Sequence, residues 1–190
     1  MIEKVCRCNL RILSTRMSGV EIMNDTCKKI TLVGDGGVGK TTFLRRHATG
    51  QFDPRYIPTE SCGLTACPLR RPTRTGRHVV YHVWDGAGQE KYDARRPTAT
   101  WAGTDAFLVM FDLTRLSSYQ NARWWIGQVQ ASHPTVPIVL VGMKSESPAR
   151  KLASEQVTLH RAFGIPYVQV STKHNAINAP FECLERLLVL

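Results

Sequence analysis

The sequence predicts an α/β domain: a mostly parallel sheet of six strands, one of them antiparallel, with helices on both faces. Three observations predict it. Apolar runs such as Phe107 to Phe111 and Ile138 to Val141 show no polar alternation, which is how strands read when both faces of a parallel sheet are covered. These runs alternate with stretches of helical character, the order that crossover connections produce. A glycine-rich stretch, GDGGVGKTT at 34 to 42, stands between the first strand and the first helix.

In chain order, KKITLVG is the first strand, and a helix is expected from about Lys40 to Thr49. Two strands follow, around Gly63 to Leu69 and His78 to Trp84. Between them RRPTRTGRH, Arg70 to His78, holds a Pro, a Gly and five basic residues and reads as an exposed hairpin tip, which makes one strand antiparallel. AFLVMFDLT is the next strand, followed by a helix near Ser118 to Ala131. PIVLVGM, a helix near Ser154 to Phe163, PYVQVST and a closing helix from about Ala179 to Leu190 complete the order. There are no internal repeats and no low-complexity tract.

The 190 residues and 43% hydrophobic content fit one domain with a filled core, taken as residues 29–190, preceded by an extension over 1–28 expected to be flexible. The formal charge of +10 is partly N-terminal, yet the rest of the chain still holds 20 basic and 12 acidic side chains. No aromatic-interleaved basic stripe of the kind that binds single strands is present, so no direct nucleic-acid contact is expected. Six scattered cysteines match no disulfide framework, and no apolar run approaches the roughly 20 residues that span a bilayer, so a reducing, soluble compartment is expected. Cys62 and Cys67 lack a second Cys or His pair at zinc-finger spacing and are read as ordinary thiols.

The most specific signal is GDGGVGKTT, which satisfies G-x-x-x-x-G-K-[ST] between a strand and a helix. Glycines let backbone amides curl around an anion, and the helix N-terminus adds partial positive charge. The candidate binding residues are Asp35, Gly36, Gly37, Val38, Gly39, Lys40, Thr41 and Thr42. Lys40 is expected to reach the β- and γ-phosphates, with a catalytic share, and the Thr41 hydroxyl to ligate Mg²⁺. VWDGAGQE at 83 to 90 ends a strand: Asp85 sits where an acid holds Mg²⁺ through water, Gly88 can offer its amide to a γ-phosphate, and Gln89 can orient a hydrolytic water. Thr59, in RYIPTESCG between the two motifs, is a candidate to complete the Mg²⁺ shell.

These residues carry a resemblance. From about Lys29 to Leu190 the chain resembles the Ras superfamily of small GTPases, a P-loop NTPase fold, and within it the Ran-type members most. GDGGVGKTTFLRRHATGQF, WDGAGQEK and MFDLT are the words that support that branch. The resemblance implies a switch that binds GTP or GDP with Mg²⁺ and hydrolyses GTP to GDP. It implies Phe52 against the base, and a base loop of the form Asn-Lys-x-Asp, here Met143, Lys144, Ser145 and Glu146. It makes Ser171, Thr172 and Lys173 the last base loop, with the Thr172 amide facing the guanine carbonyl. By the same resemblance the chain is expected to be a monomer working in nucleus and cytoplasm with transport receptors, an exchange factor and a GTPase activator. No membrane anchor is expected, since the last cysteine, Cys183, falls inside the final helix pattern.

Three departures bear on function. Met143 cannot make the hydrogen bonds of the family's amide, although its thioether can fill the space. Glu146 keeps a bidentate carboxylate one methylene further out, and weaker guanine binding is expected from the two changes together. Gly86 stands where the family has Thr and should loosen the loop that carries Gln89. Two readings therefore stay open: a working GTPase, and a binding protein that imitates the Ran type and occupies transport factors without cycling. A nucleoside kinase is disfavoured, since neither an arginine-rich lid nor a second substrate site can be identified.

Overall fold

The computed structural model describes residues 26–54, 65–73, 75–76, 78–85 and 101–190. Six strands form one sheet: β1 (Thr26–Val33), β2 (Thr65–Pro72), β3 (His78–Asp85), β4 (Ala106–Asp112), β5 (Ile138–Met143) and β6 (Tyr167–Val170). Their spatial order is β2-β3-β1-β4-β5-β6, with β2 antiparallel to β3 and every other pairing parallel. Among the described residues the helices are α1 (Lys40–Thr49), α2 (Leu116–Ser132), α3 (Leu159–Phe163) and α4 (Ala179–Leu187).

The central strands owe their position to composition. All seven residues of β4 and all six of β5 are buried, so both faces need a covering layer. Ile30, Leu32, Leu108, Met110, Val139 and Val141 pack on one face with Phe43 of α1 and Phe181 and Leu184 of α4. Phe107, Val109, Phe111 and Leu140 pack on the other with Ala122, Trp125, Ile126 and Val129 of α2. That helical spacing turns one stripe of α2 to the sheet. β2 lies at the edge and carries Pro68 and Pro72, and an edge strand has a side on which a missing N–H leaves no ladder bond unmade.

Several boundaries differ from the sequence expectation. β1 begins at Thr26, so three residues assigned to the extension pair with Val79, Val80 and Tyr81 of β3. The hairpin strand runs to Pro72 opposite His78, and just beyond it the Gly76 amide donates to the Thr73 carbonyl at 3.1 Å. The helix expected over Ser154 to Phe163 is broken into a 3-10 turn, Ser154–Gln156, and the short α3. Leu152, Val157 and Leu159 are all buried, a spacing no single helical face supplies, and extended backbone at Val157 resolves it. The last helix stops at Leu187 instead of Leu190, with Val189 left-handed at φ 53.

Candidate functional site

The carboxyl ends of β1, β3, β4, β5 and β6 converge on one edge of the sheet. There β1 turns sharply into the glycine-rich loop. Gly34 has φ 142, and a Cβ placed on it would lie 2.2 Å from the Met110 carbonyl oxygen of β4, so only glycine allows this approach. Val38 is buried and packs into the core. Gly39, left-handed at φ 108, is the N-cap of α1; no side chain caps that end and no acidic residue lies in the first turn. A helix N-terminus with no capping side chain and no built-in carboxylate is what an anion needs.

Lys40 is buried, and its Nζ donates to the Gly34 carbonyl at 2.7 Å and the Asp35 carbonyl at 3.1 Å, which arches the ammonium over the loop. The Thr41 hydroxyl donates to Asp85 Oδ2 at 2.5 Å, joining the first turn of α1 to the end of β3. Asp85 is 1% exposed, and burial raises its pKa above the ordinary carboxylate value against the Thr41 bond and the Lys40 charge, which lower it. Its Oδ1 is buried without a hydrogen-bond partner. Thr42 is half-buried on the next position of the helix, and Phe52 is half-buried in the segment after α1.

The second half of the site comes from β5 and β6. Met143, 1% exposed, ends β5 with its Cε 3.4 Å from where a Cβ on Gly39 would stand, so the thioether fills the space behind the phosphate loop. Lys144 adopts the left-handed region at φ 59 and pairs its Nζ with Asp112 Oδ2 at 2.6 Å, also reaching the Gly37 carbonyl at 3.5 Å. Burial alone would raise the Asp112 pKa, but the Lys144 bond and two Thr114 donors hold the carboxyl below the ordinary range. Glu146 is half-buried, and its Oε2 is shielded from solvent without a partner. Ser171 and Thr172 are buried beside this loop, where the Ser145 amide donates to the Val170 carbonyl at 3.1 Å, whereas Lys173 is exposed.

Two orphaned carboxylate oxygens, Asp85 Oδ1 near the glycine-rich loop and Glu146 Oε2 in the loop after β5, have the chemistry to accept from a metal-held water and from a base N–H respectively. Thr59, Gly86, Gly88 and Gln89 lie outside the described residues, as do Cys62 and the side chain of Cys67. Sequence reasoning missed four residues that build the site. Asp112 anchors Lys144, while Arg115, Asn121 and Trp125 of α2 and its N-cap hold the phosphate loop from behind: Asn121 Nδ2 and Trp125 Nε1 donate to the two Asp35 oxygens at 2.7 and 3.1 Å, and Arg115 Nη2 to the Gly36 carbonyl at 2.8 Å. Asp112 had a signal, an acid closing a fully apolar strand; the others lie 79 to 90 residues from their partners, a separation no local pattern reveals.

A parallel sheet with a glycine loop running from its first strand into a helix defines the P-loop nucleotide-binding class. The match to a family of known proteins is narrower than that class. The model described as the Ras family covers residues 29–189, and the chain therefore belongs to the Ras family of small GTPases, switches that bind GTP and GDP, typically with Mg²⁺.

Proposed function

We propose that this chain is a Ran-type member of its family: an Mg²⁺-dependent GTPase that alternates between GTP- and GDP-bound shapes in the service of nucleocytoplasmic transport. The observation that carries the nucleotide reading is the Thr41 hydroxyl bonded to Asp85 at 2.5 Å beside the Lys40 ammonium, with Asp85 Oδ1 left over. The amides of residues 36–42 and Lys40 would hold the phosphates. Phe52, Lys144, Glu146, Ser171 and Thr172 would hold the guanine, with Lys173 at its margin. Thr41 and Thr59 would hold Mg²⁺ directly and Asp85 through water; when bound, the ion supplies positive charge to the β- and γ-phosphate oxygens. Gln89 would orient the attacking water, and Thr59 and Gly88 would sense the γ-phosphate, their loops relaxing after hydrolysis.

The Ran-type assignment rests on GDGGVGKTTFLRRHATGQF, WDGAGQEK and MFDLT, and brings with it transport receptors, an exchange factor and an activator as partners in nucleus and cytoplasm. No arginine of this chain is assigned to the transferring phosphate, so turnover by the isolated protein is slow and an activator supplies the arginine in trans.

One observation favours a second reading, a mimic that occupies transport factors without cycling. Met143 is sealed in the core where an amide would tie the base to the phosphate loop, and it can offer only contact. The two readings separate on the nucleotide extracted from purified protein, followed by titration with GDP, GTP, XTP and ATP in magnesium buffer. Retained GDP and a preference for guanine support the switch; an empty site supports the mimic. Failure to take up any of the four would remove the enzymatic proposal.

A further inference from the structure

Arg115, whose type and position none of the sequence motifs explains, stands directly behind the phosphate loop. Its main chain is fixed on three sides. The Arg115 amide donates to the Asp112 carbonyl at 3.0 Å, and its own carbonyl accepts the Ser118 amide at 3.1 Å and the Ser118 hydroxyl at 2.7 Å. Ser118 is itself buried and also accepts the Asp112 amide at 3.0 Å, so the side chain leaves from a rigid corner at the start of α2. From there Nη2 donates to the Gly36 carbonyl at 2.8 Å, while Nε is buried with no hydrogen-bond partner. Arg115 is half-buried, and a shielded Nε–H left unsatisfied carries a desolvation cost.

A loop whose successive amides converge on an anion turns its carbonyls outward. The Gly36 carbonyl is such a group, and a cationic donor on it holds that peptide in the orientation the cradle needs. The neighbouring residue is fixed from the same helix, since both Asp35 oxygens are taken by Asn121 and Trp125. Between them, the corner and the first turns of α2 clamp two consecutive residues of the loop.

We infer that Arg115 is a positioning residue for nucleotide binding, acting through the Gly36 carbonyl on the amides that grip the β-phosphate. The inference rests on the reading of residues 34–42 as a phosphate cradle. Arg115 does not touch the nucleotide; it lowers the cost of ordering the loop and places a fixed positive charge behind it. Its effect is therefore specific to nucleotides that carry the gripped phosphate.

The test compares the full chain with Arg115→Ala and Arg115→Lys, measuring Kd and dissociation rate for GDP and for GMP in magnesium buffer, alongside the urea midpoint of nucleotide-free protein. Arg115→Ala is expected to weaken GDP by about tenfold or more, the scale of a charge-assisted hydrogen bond, with GMP nearly unchanged. Arg115→Lys, which keeps the charge but not the planar fork, is expected to recover part of the GDP loss. Unchanged GDP affinity in Arg115→Ala, or equal losses for GDP and GMP, overturns the inference. If the unsubstituted chain itself binds no GDP, the nucleotide-site reading fails first, and that result is distinct because it precedes any substitution.

Discussion

His47 makes stability depend on pH in a direction opposite to that of a histidine paired with a carboxylate, whose folded-state pKa is raised. It lies on α1 between Phe43 and Phe181, at ring-centroid distances of 4.7 and 4.9 Å, with Nε2 3.1 Å from the Ile177 carbonyl. Burial lowers its pKa from 6.5 to about 4, the Ile177 bond opposes that, and the Arg71 charge adds to it. The folded chain therefore holds the ring neutral in a window where the unfolded chain has protonated it. Below 6.5 the unfolded state binds the extra proton, so this contribution to stability is complete above 6.5 and is lost as pH falls toward about 4. The full gap corresponds to about 3 kcal/mol, and about 2 kcal/mol of it is lost between roughly pH 7.5 and pH 5. Urea unfolding at those two values measures the loss, with His47→Gln as the control, because a glutamine retains an N–H donor for Ile177 without a titrating ring. The wild-type chain is expected to lose about 2 kcal/mol more than the variant. Equal losses in both chains, or a His47 imidazole titrating near 6.5 by NMR, would refute the reasoning.

Gly34→Ala must move either the loop or β4, because its Cβ would lie 2.2 Å from a main-chain oxygen; a loss of about 3 kcal/mol or more in unfolding free energy and of nucleotide retention is expected. Glu146→Gln replaces an acceptor oxygen with a donor in the base loop, so GDP affinity measured by calorimetry should fall about tenfold or more while XDP, whose C2 carbonyl accepts, is spared or favoured. Gln89→Leu removes the proposed water-orienting amide and is expected to slow single-turnover GTP hydrolysis at least about tenfold without weakening GDP binding; unchanged hydrolysis would take Gln89 out of the mechanism.

The phosphate end was the most legible part of the site because its chemistry is local. A glycine at 34, another at 39 and a lysine and threonine at the mouth of a helix are constraints imposed by neighbours in sequence; the structure folds Lys40 back onto the Gly34 carbonyl and brings Thr41 to Asp85 across one strand pair. The base end was half legible. Lys144 and Glu146 could be placed by the strand before them, but the Lys144 partner, Asp112, comes from the adjacent strand, and strand adjacency is a property of the sheet.

What the sequence determined by itself was the order of elements and the identity of the loop, since both follow from hydrophobic period and from the few residues a left-handed turn admits. Only the tertiary structure decided what stands behind that loop. Arg115, Asn121 and Trp125 reach Asp35 and Gly36 because β4 lies beside β1 and the helix after β4 packs over the same face, a coincidence of two distant segments created by the shared core. It likewise decided that the stretch over 154–163 breaks at Val157, where burying one more side chain outweighed the hydrogen bonds of an unbroken helix.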